Sequence, residues 1–109
     1  MAETKRKTAK STQGVTKTKI RKPSMYDVLM HNDDITPMDF VVEILEKYFD
    51  KNAEDAKRLM LSVHHGTKAV AGTYTYDMAV TKMTKAVAEA RNRKYPFKMT
   101  VEKSSKEVL

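Results

Sequence analysis

The chain has 109 residues, with 21 Lys and Arg against 14 Asp and Glu and no cysteine, which argues for one domain and excludes a disulfide framework, a thiolate metal site and a cysteine nucleophile. Its formal charge of +7 lies wholly in residues 1–24, where eight bases meet one acid, Glu3, while residues 25–109 carry as many acids as bases. The expected folded body has no summed positive field to steer polyanions, no apolar run nears the roughly 20 residues of a membrane span, and the basic start lacks the apolar stretch of a secretory signal.

Residues 1–22 are mostly Lys, Thr, Ser, Ala and Gln, with Val15 and Ile20 as larger apolar groups. Such a segment cannot bury enough surface to offset its ordering entropy, so residues 1–24 are expected to form a disordered basic tail. Pro23-Ser24 marks the boundary of a core over 25–104, with 105–109 as a short C-terminal tail. Residues 25–30, MYDVLM, read as a strand with Tyr26, Val28 and Met30 on one face. A polar turn, His31 to Ile35, follows. Thr36-Pro37-Met38-Asp39 has the grammar of a helix start, with a Thr cap, Pro in the first helical position and an acid in the first turn. That helix should reach about Asp50, burying Val41, Ile44, Leu45, Tyr48 and Phe49.

Asn52 can cap a second helix whose apolar stripe is Ala56, Leu59, Met60 and Val63, ending near His64-His65 with Gly66 as a C-cap. Lys68 to Tyr74 is a second strand. Thr75 can cap a third helix, 76 to about 93, with Ala79, Met83, Ala86, Val87 and Ala90 inward. Pro96 stops it, and residues 97–102 alternate cleanly as a last strand. The order βααβαβ predicts an α+β sandwich of a small antiparallel sheet packed against three helices.

Catalytic chemistry finds little support in this pattern. Ser24 and Ser62 stand in no glycine-framed elbow, and Gly14, Gly66 and Gly72 are too scattered for a phosphate loop. Asp33 and Asp34 are adjacent in a turn, so their carboxylates point apart. His64 and His65 diverge by about 100 degrees on a helix and cannot both face one metal ion. The chain reads as a non-enzyme needing no cofactor or metal.

A few polar groups beside an apolar stripe say more. Two helices joined by a short connector pack antiparallel, which returns His64 toward the start of the first helix and toward Asn32 and Asp33. An Asn carbonyl, a carboxylate and a neutral imidazole nitrogen are all acceptors, suited to a small cation with several donors, an ammonium. Met38, Val41, Met60 and Val63 would supply an apolar hollow beside it. An ammonium next to an apolar side chain describes the first residue of a peptide. The competing reading is a plain turn with ordinary core residues.

Residues 26–41, YDVLMHNDDITPMDFV, resemble the opening of ClpS, the adaptor of the Clp ATP-dependent protease. Ala56 to His64, with its LMLSVH run, resembles the family too, as do Ala79-Val80-Thr81-Lys82 and Tyr95-Pro96-Phe97; together the likeness spans about residues 25–104. It implies an adaptor that recognises proteins by a free N-terminal bulky residue (Leu, Phe, Tyr or Trp) and delivers them to a Clp AAA+ unfoldase of the ClpA or ClpC type. On this resemblance Asn32, Asp33 and His64 hold the α-amino group, and Asp34 and Thr36 support the turn or the first peptide units. Met38 gates a pocket lined by Ile35, Val41, Met60, Val63 and Phe97, while Asp77 and Lys82 fall where the family meets the unfoldase. Phe97 stands in place of a pocket-wall leucine, and Gly66-Thr67 places the loop glycine one position early.

The expectation is thus a monomeric cytoplasmic adaptor without membrane or nucleic-acid partners. The alternative is a nucleic-acid-associated small basic α+β module, whose polyanion binding would depend steeply on salt through the arm's bases.

Overall fold

The computed structural model describes residues 24–105, in the order β1 (Tyr26–His31), α1 (Met38–Tyr48), α2 (Ala53–His65), β2 (Lys68–Tyr74), α3 (Tyr76–Asn92) and β3 (Lys98–Lys103). This is the βααβαβ α+β arrangement expected from the sequence. The expected basic tail, Ser24 apart, lies outside the described residues.

β1 is the central strand, antiparallel to β2 on one side and β3 on the other. Its alternation sends Val28 and Met30, both fully buried, into the core with Ile44, Leu45, Phe49, Ala79, Ala86 and Met99. Each large side chain so buried contributes roughly 1.5–3 kcal/mol. Asp27 and His31 lie on the other face, where Thr73 donates to Asp27 at 2.7 Å and the His31 Nε2 meets the Thr100 hydroxyl at 2.8 Å. The β1–β2 register slips between Val28 and Leu29, whose partners are Gly72 and Val70. Ala71 is therefore an extra residue in β2, a bulge, and it is fully buried. Gly72 beside it lies under the Tyr74 side chain: a Cβ there would stand 2.5 Å from the Tyr74 hydroxyl, so the ring would have to move aside.

Two helix ends depart from expectation. Thr36 does not cap α1. Its hydroxyl donates to Asp33, and Pro37 takes the cap position in extended backbone (φ −64, ψ 143), so the helix starts one residue later. At its other end α1 stops at Tyr48, because Asp50 adopts a left-handed conformation (φ 58), one that Asp tolerates better than most residues. The Lys82 ammonium reaches over from α3 to the freed Tyr48 carbonyl at 3.0 Å.

α2 is capped as the sequence suggests, the Asn52 side chain accepting from the Asp55 N–H at 2.8 Å. Gly66 does take the C-cap position, but with φ −113, so it supplies no left-handed turn. A Cβ there would press on the Ser62 carbonyl at 3.1 Å.

α3 ends four residues before Pro96. Lys94 turns left-handed (φ 66), with the Lys94 N–H on the Arg91 carbonyl at 3.0 Å and the Tyr95 N–H on the Ala90 carbonyl at 2.9 Å. That is a Schellman ending built without glycine. α1 and α3 are tied by Glu89, which accepts from the Tyr48 hydroxyl at 2.7 Å and from Lys47 at 3.0 Å. Arg93 bridges Glu89 and Glu43 at 3.2 and 2.8 Å.

Candidate functional site

At the end of the sheet where β1 finishes and β2 and β3 begin lies a small, open-mouthed cleft. Four stretches of chain build it. The end of β1 and the following turn give His31, Asn32, Asp33 and Thr36. The start of α1 gives Met38 and Val41, the end of α2 gives Met60, Val63 and His64, and the residue before β3 gives Phe97. Val41, Val63 and Phe97 are buried, so the base of the cleft is apolar and fixed. Met38 is 46% exposed and stands as an unbranched, adaptable side chain at the cleft.

The polar corner is organised by Asp33. Its Oδ1 accepts the backbone N–H groups of Ile35 and Thr36 at 2.8 and 2.7 Å, and its Oδ2 accepts the Thr36 hydroxyl at 2.9 Å. A carboxylate offers about four acceptor sites, so one remains for a ligand. Burial pushes the Asp33 carboxyl up. The bonds from Thr36 and Ile35, helped by the nearby Arg91 guanidinium, outweigh it and hold the group below its ordinary value. Asp33 is thus an anion in a fixed orientation.

Asn32 is anchored through its backbone, whose N–H donates to the Thr67 carbonyl at 3.0 Å. Its carboxamide is exposed and makes no hydrogen bond within the described residues. His64 is exposed as well, with only the edge of the His65 ring beside it, centroids 5.4 Å apart. Two acceptor-capable groups without a hydrogen-bond partner among the described residues and one spare carboxylate site therefore border an apolar hollow. That arrangement can take an ammonium and an adjoining apolar side chain together.

One of the site expectations needs correction. Ile35 does not line the cleft: it is 69% exposed, because the turn that Asp33 closes on its amide turns the side chain outward. Of the two residues expected to support the turn or the first peptide units, Thr36 is bonded to Asp33 within the turn, while Asp34 is exposed and makes no side-chain bond in it among the described residues.

Sequence reasoning missed His31, which borders the cleft. The available signal was its position as the last residue of β1, next to Asn32. Burial, then the Lys98 and Lys68 ammonium groups opposite it on the neighbouring strands, push its imidazole below the ordinary range against the pull of Glu102.

Asp77 and Lys82 lie on α3 away from the cleft. Asp77 is exposed in the first turn. Lys82 is mostly covered, its ammonium on the Tyr48 carbonyl, 3.4 Å from Asp50 and 5.0 Å from the centre of the Tyr74 ring. Among the described residues no group of three or more acidic, His or Cys side chains is placed to hold a metal ion. Nor is any helix there long and apolar enough to cross a membrane.

Comparison with known proteins places this geometry in context. The family model described as ATP-dependent Clp protease adaptor protein ClpS matches residues 21–100. The ATP-dependent Clp protease adapter protein ClpS of Rhodospirillum centenum is 52% identical over 87 residues, 80% of this chain and 81% of that protein. Its counterpart from Phenylobacterium zucineum is 51% identical over 88 residues, covering 81% of each. Among solved structures, Agrobacterium tumefaciens ClpS2 bound to L-phenylalaninamide superposes with a TM-score of 0.74 at 30% identity, over 76% of this chain and all of that one. The comparisons give the nucleic-acid module no support.

Proposed function

The chain belongs to the ClpS family of ATP-dependent Clp protease adaptors, and we propose that it binds proteins by a free, bulky hydrophobic N-terminal residue and delivers them to a Clp AAA+ unfoldase for degradation. One observation carries this reading: the Asn32 carboxamide and His64 ring, without hydrogen-bond partners among the described residues, beside the oriented Asp33 carboxylate, all bordering the Met38, Val41, Met60, Val63 and Phe97 hollow. An L-phenylalaninamide in a relative's structure supplies the same two parts, an amine and an apolar side chain. Asn32, Asp33 and His64 receive the α-ammonium, Thr36 keeps Asp33 in place, and Met38 gates the hollow. Asp77 and Lys82 belong to the unfoldase-facing surface.

The protein acts as a monomeric cytoplasmic adaptor of a ClpA- or ClpC-type unfoldase, without catalysis or cofactor of its own. Residues 25–104 form the adaptor core between tails at 1–24 and 105–109.

The energetics favour the polar half. Burying a Leu or aromatic side chain contributes roughly 1.5–3 kcal/mol, whereas each hydrogen bond to a charged group adds about 1.5–3. After several kcal/mol of association entropy the balance is an affinity on the order of micromolar. Titration of a Phe-initiated peptide against its N-acetylated form tests the assignment. The free peptide binds and the acetylated one does not; equal binding of the two overturns it.

A further inference from the structure

The base of the cleft is held by a residue that does not line it. Phe97, 1% exposed, lies just before β3, outside the last strand pair, His31 with Lys98. Its carbonyl accepts instead from the Arg91 Nη1 at 2.9 Å, and the same nitrogen donates to the Tyr95 carbonyl at 2.7 Å. One guanidinium nitrogen has two hydrogens, and both are used to draw residues 95–97 back onto the last turn of α3. The turn needs such a tie, because its bend is made by Lys94 in a conformation that favours glycine.

Above the tie, the Phe97 ring stands nearly perpendicular to Phe40 at 6.2 Å, and Tyr95 meets the same Phe40 ring at 4.9 Å. Phe40 belongs to the first turn of α1, between Met38 and Val41 of the cleft wall. Arg91 therefore anchors the backbone from which the floor of the cleft projects, and its charge is felt at Asp33 across the site.

We propose that Arg91 is a positioning residue of this cleft: by fixing the Phe97 carbonyl it sets how far the Phe97 ring intrudes, and so which first side chains fit. The proposal rests on the reading of the cleft as the seat of a peptide's first side chain. A floor held high by Arg91 favours a flat ring that meets Phe97 edge to face and disfavours a branched, thicker side chain. Released, the floor is adaptable and the two become harder to tell apart.

The experiment compares two peptides that differ only at the first residue, Phe or Leu, by fluorescence anisotropy. They are titrated against the full chain and its Arg91→Lys, Arg91→Met, Phe97→Leu and Arg91→Met/Phe97→Leu variants, each with a thermal melt. The Phe-to-Leu affinity ratio is expected to fall about threefold in Arg91→Met, the scale of one hydrogen bond, and by less in Arg91→Lys. It is expected to fall no further when Arg91→Met is added to Phe97→Leu, because one residue acts through the other. A ratio that stays at the wild-type value in both Arg91 variants while their melting temperatures drop overturns the proposal, since a purely structural tie weakens both peptides alike. So does a double variant whose ratio is the product of the single effects. Should Arg91→Met not fold, Arg91→Lys, which keeps stem and charge, carries the test. A wild-type chain that binds neither peptide overturns the reading of the cleft itself, and is distinct from an unchanged ratio.

Discussion

Asp33 grips Thr36 twice, one carboxylate oxygen accepting the Thr36 backbone N–H at 2.7 Å and the other its hydroxyl at 2.9 Å. The carboxylate proposed to meet a ligand is therefore also the keystone of the turn carrying Asn32. Removing it with Asp33→Ala should cost about 1.5–3 kcal/mol of stability together with most of the peptide affinity. Thr36→Val, which deletes one bond and leaves the charge, should cost about 1 kcal/mol and weaken binding far less. Urea unfolding and peptide titration on the two variants check this; equal losses of affinity would mean the turn, not the carboxylate, is what binding needs.

The contribution of the His64 imidazole is separable from that of the carboxylate. Against the push of burial, Asp33 is held below its ordinary carboxyl value by the bonds from Thr36 and Ile35, and His31 is pushed below the ordinary histidine range by burial and by Lys98 and Lys68. A His64→Ala variant, which removes one acceptor from the corner and leaves Asp33 in place, should bind a free Phe-initiated peptide about tenfold more weakly with an unchanged melting temperature. Unchanged affinity by fluorescence anisotropy would remove His64 from the contact.

Stability has its own acid limb. Bonds from Tyr48 and Lys47 to Glu89 pull its carboxyl below the usual 4.5, against a smaller push from burial. A carboxyl depressed in the folded state stabilises at pH above its unfolded value, and that contribution is lost as pH falls through the lower folded value. The wild-type melting temperature should accordingly decline below about pH 4.5 more steeply than that of Glu89→Gln, which starts lower at neutral pH. Parallel thermal melts from pH 3 to 7 decide it, and superimposable slopes would show the clamp to be unimportant.

Lys82 caps the end of α1 whatever else it does. Lys82→Met should lower stability by about 1 kcal/mol while leaving the affinity for a free Phe-initiated peptide unchanged, as measured by urea unfolding and anisotropy. A defect in substrate delivery by this variant thus has to be read beside its unfolding curve. An unaltered melt would show the Tyr48 carbonyl to be as well served by water.

The order of elements was legible because each is announced by side chains acting on their own backbone: alternation in β1 and β3, the Asn52 cap of α2, the alanine stripe of α3. The acceptor corner was legible too, since Asn32, Asp33 and His64 are polar residues placed where the helix pair returns. What escaped depends on partners distant in sequence. Thr36 looks like a cap until Asp33 claims its hydroxyl. Lys94 carries no mark of a left-handed turn, since the usual marker is glycine, and Asp50 only the weak one of a residue type that tolerates it. Lys82 and Arg91 read as surface cations, yet the carbonyls they bind become available only once α1 has ended and the 93–97 turn has formed. The Ala71 bulge has no composition of its own beyond the small residues that permit it.

Because Phe97 and its Arg91 anchor belong to the last helix-to-strand junction, the recognition surface is completed late along the polypeptide. The walls come from residues 31–64 and the floor from Phe97, so the cleft is whole only once the last strand has joined β1.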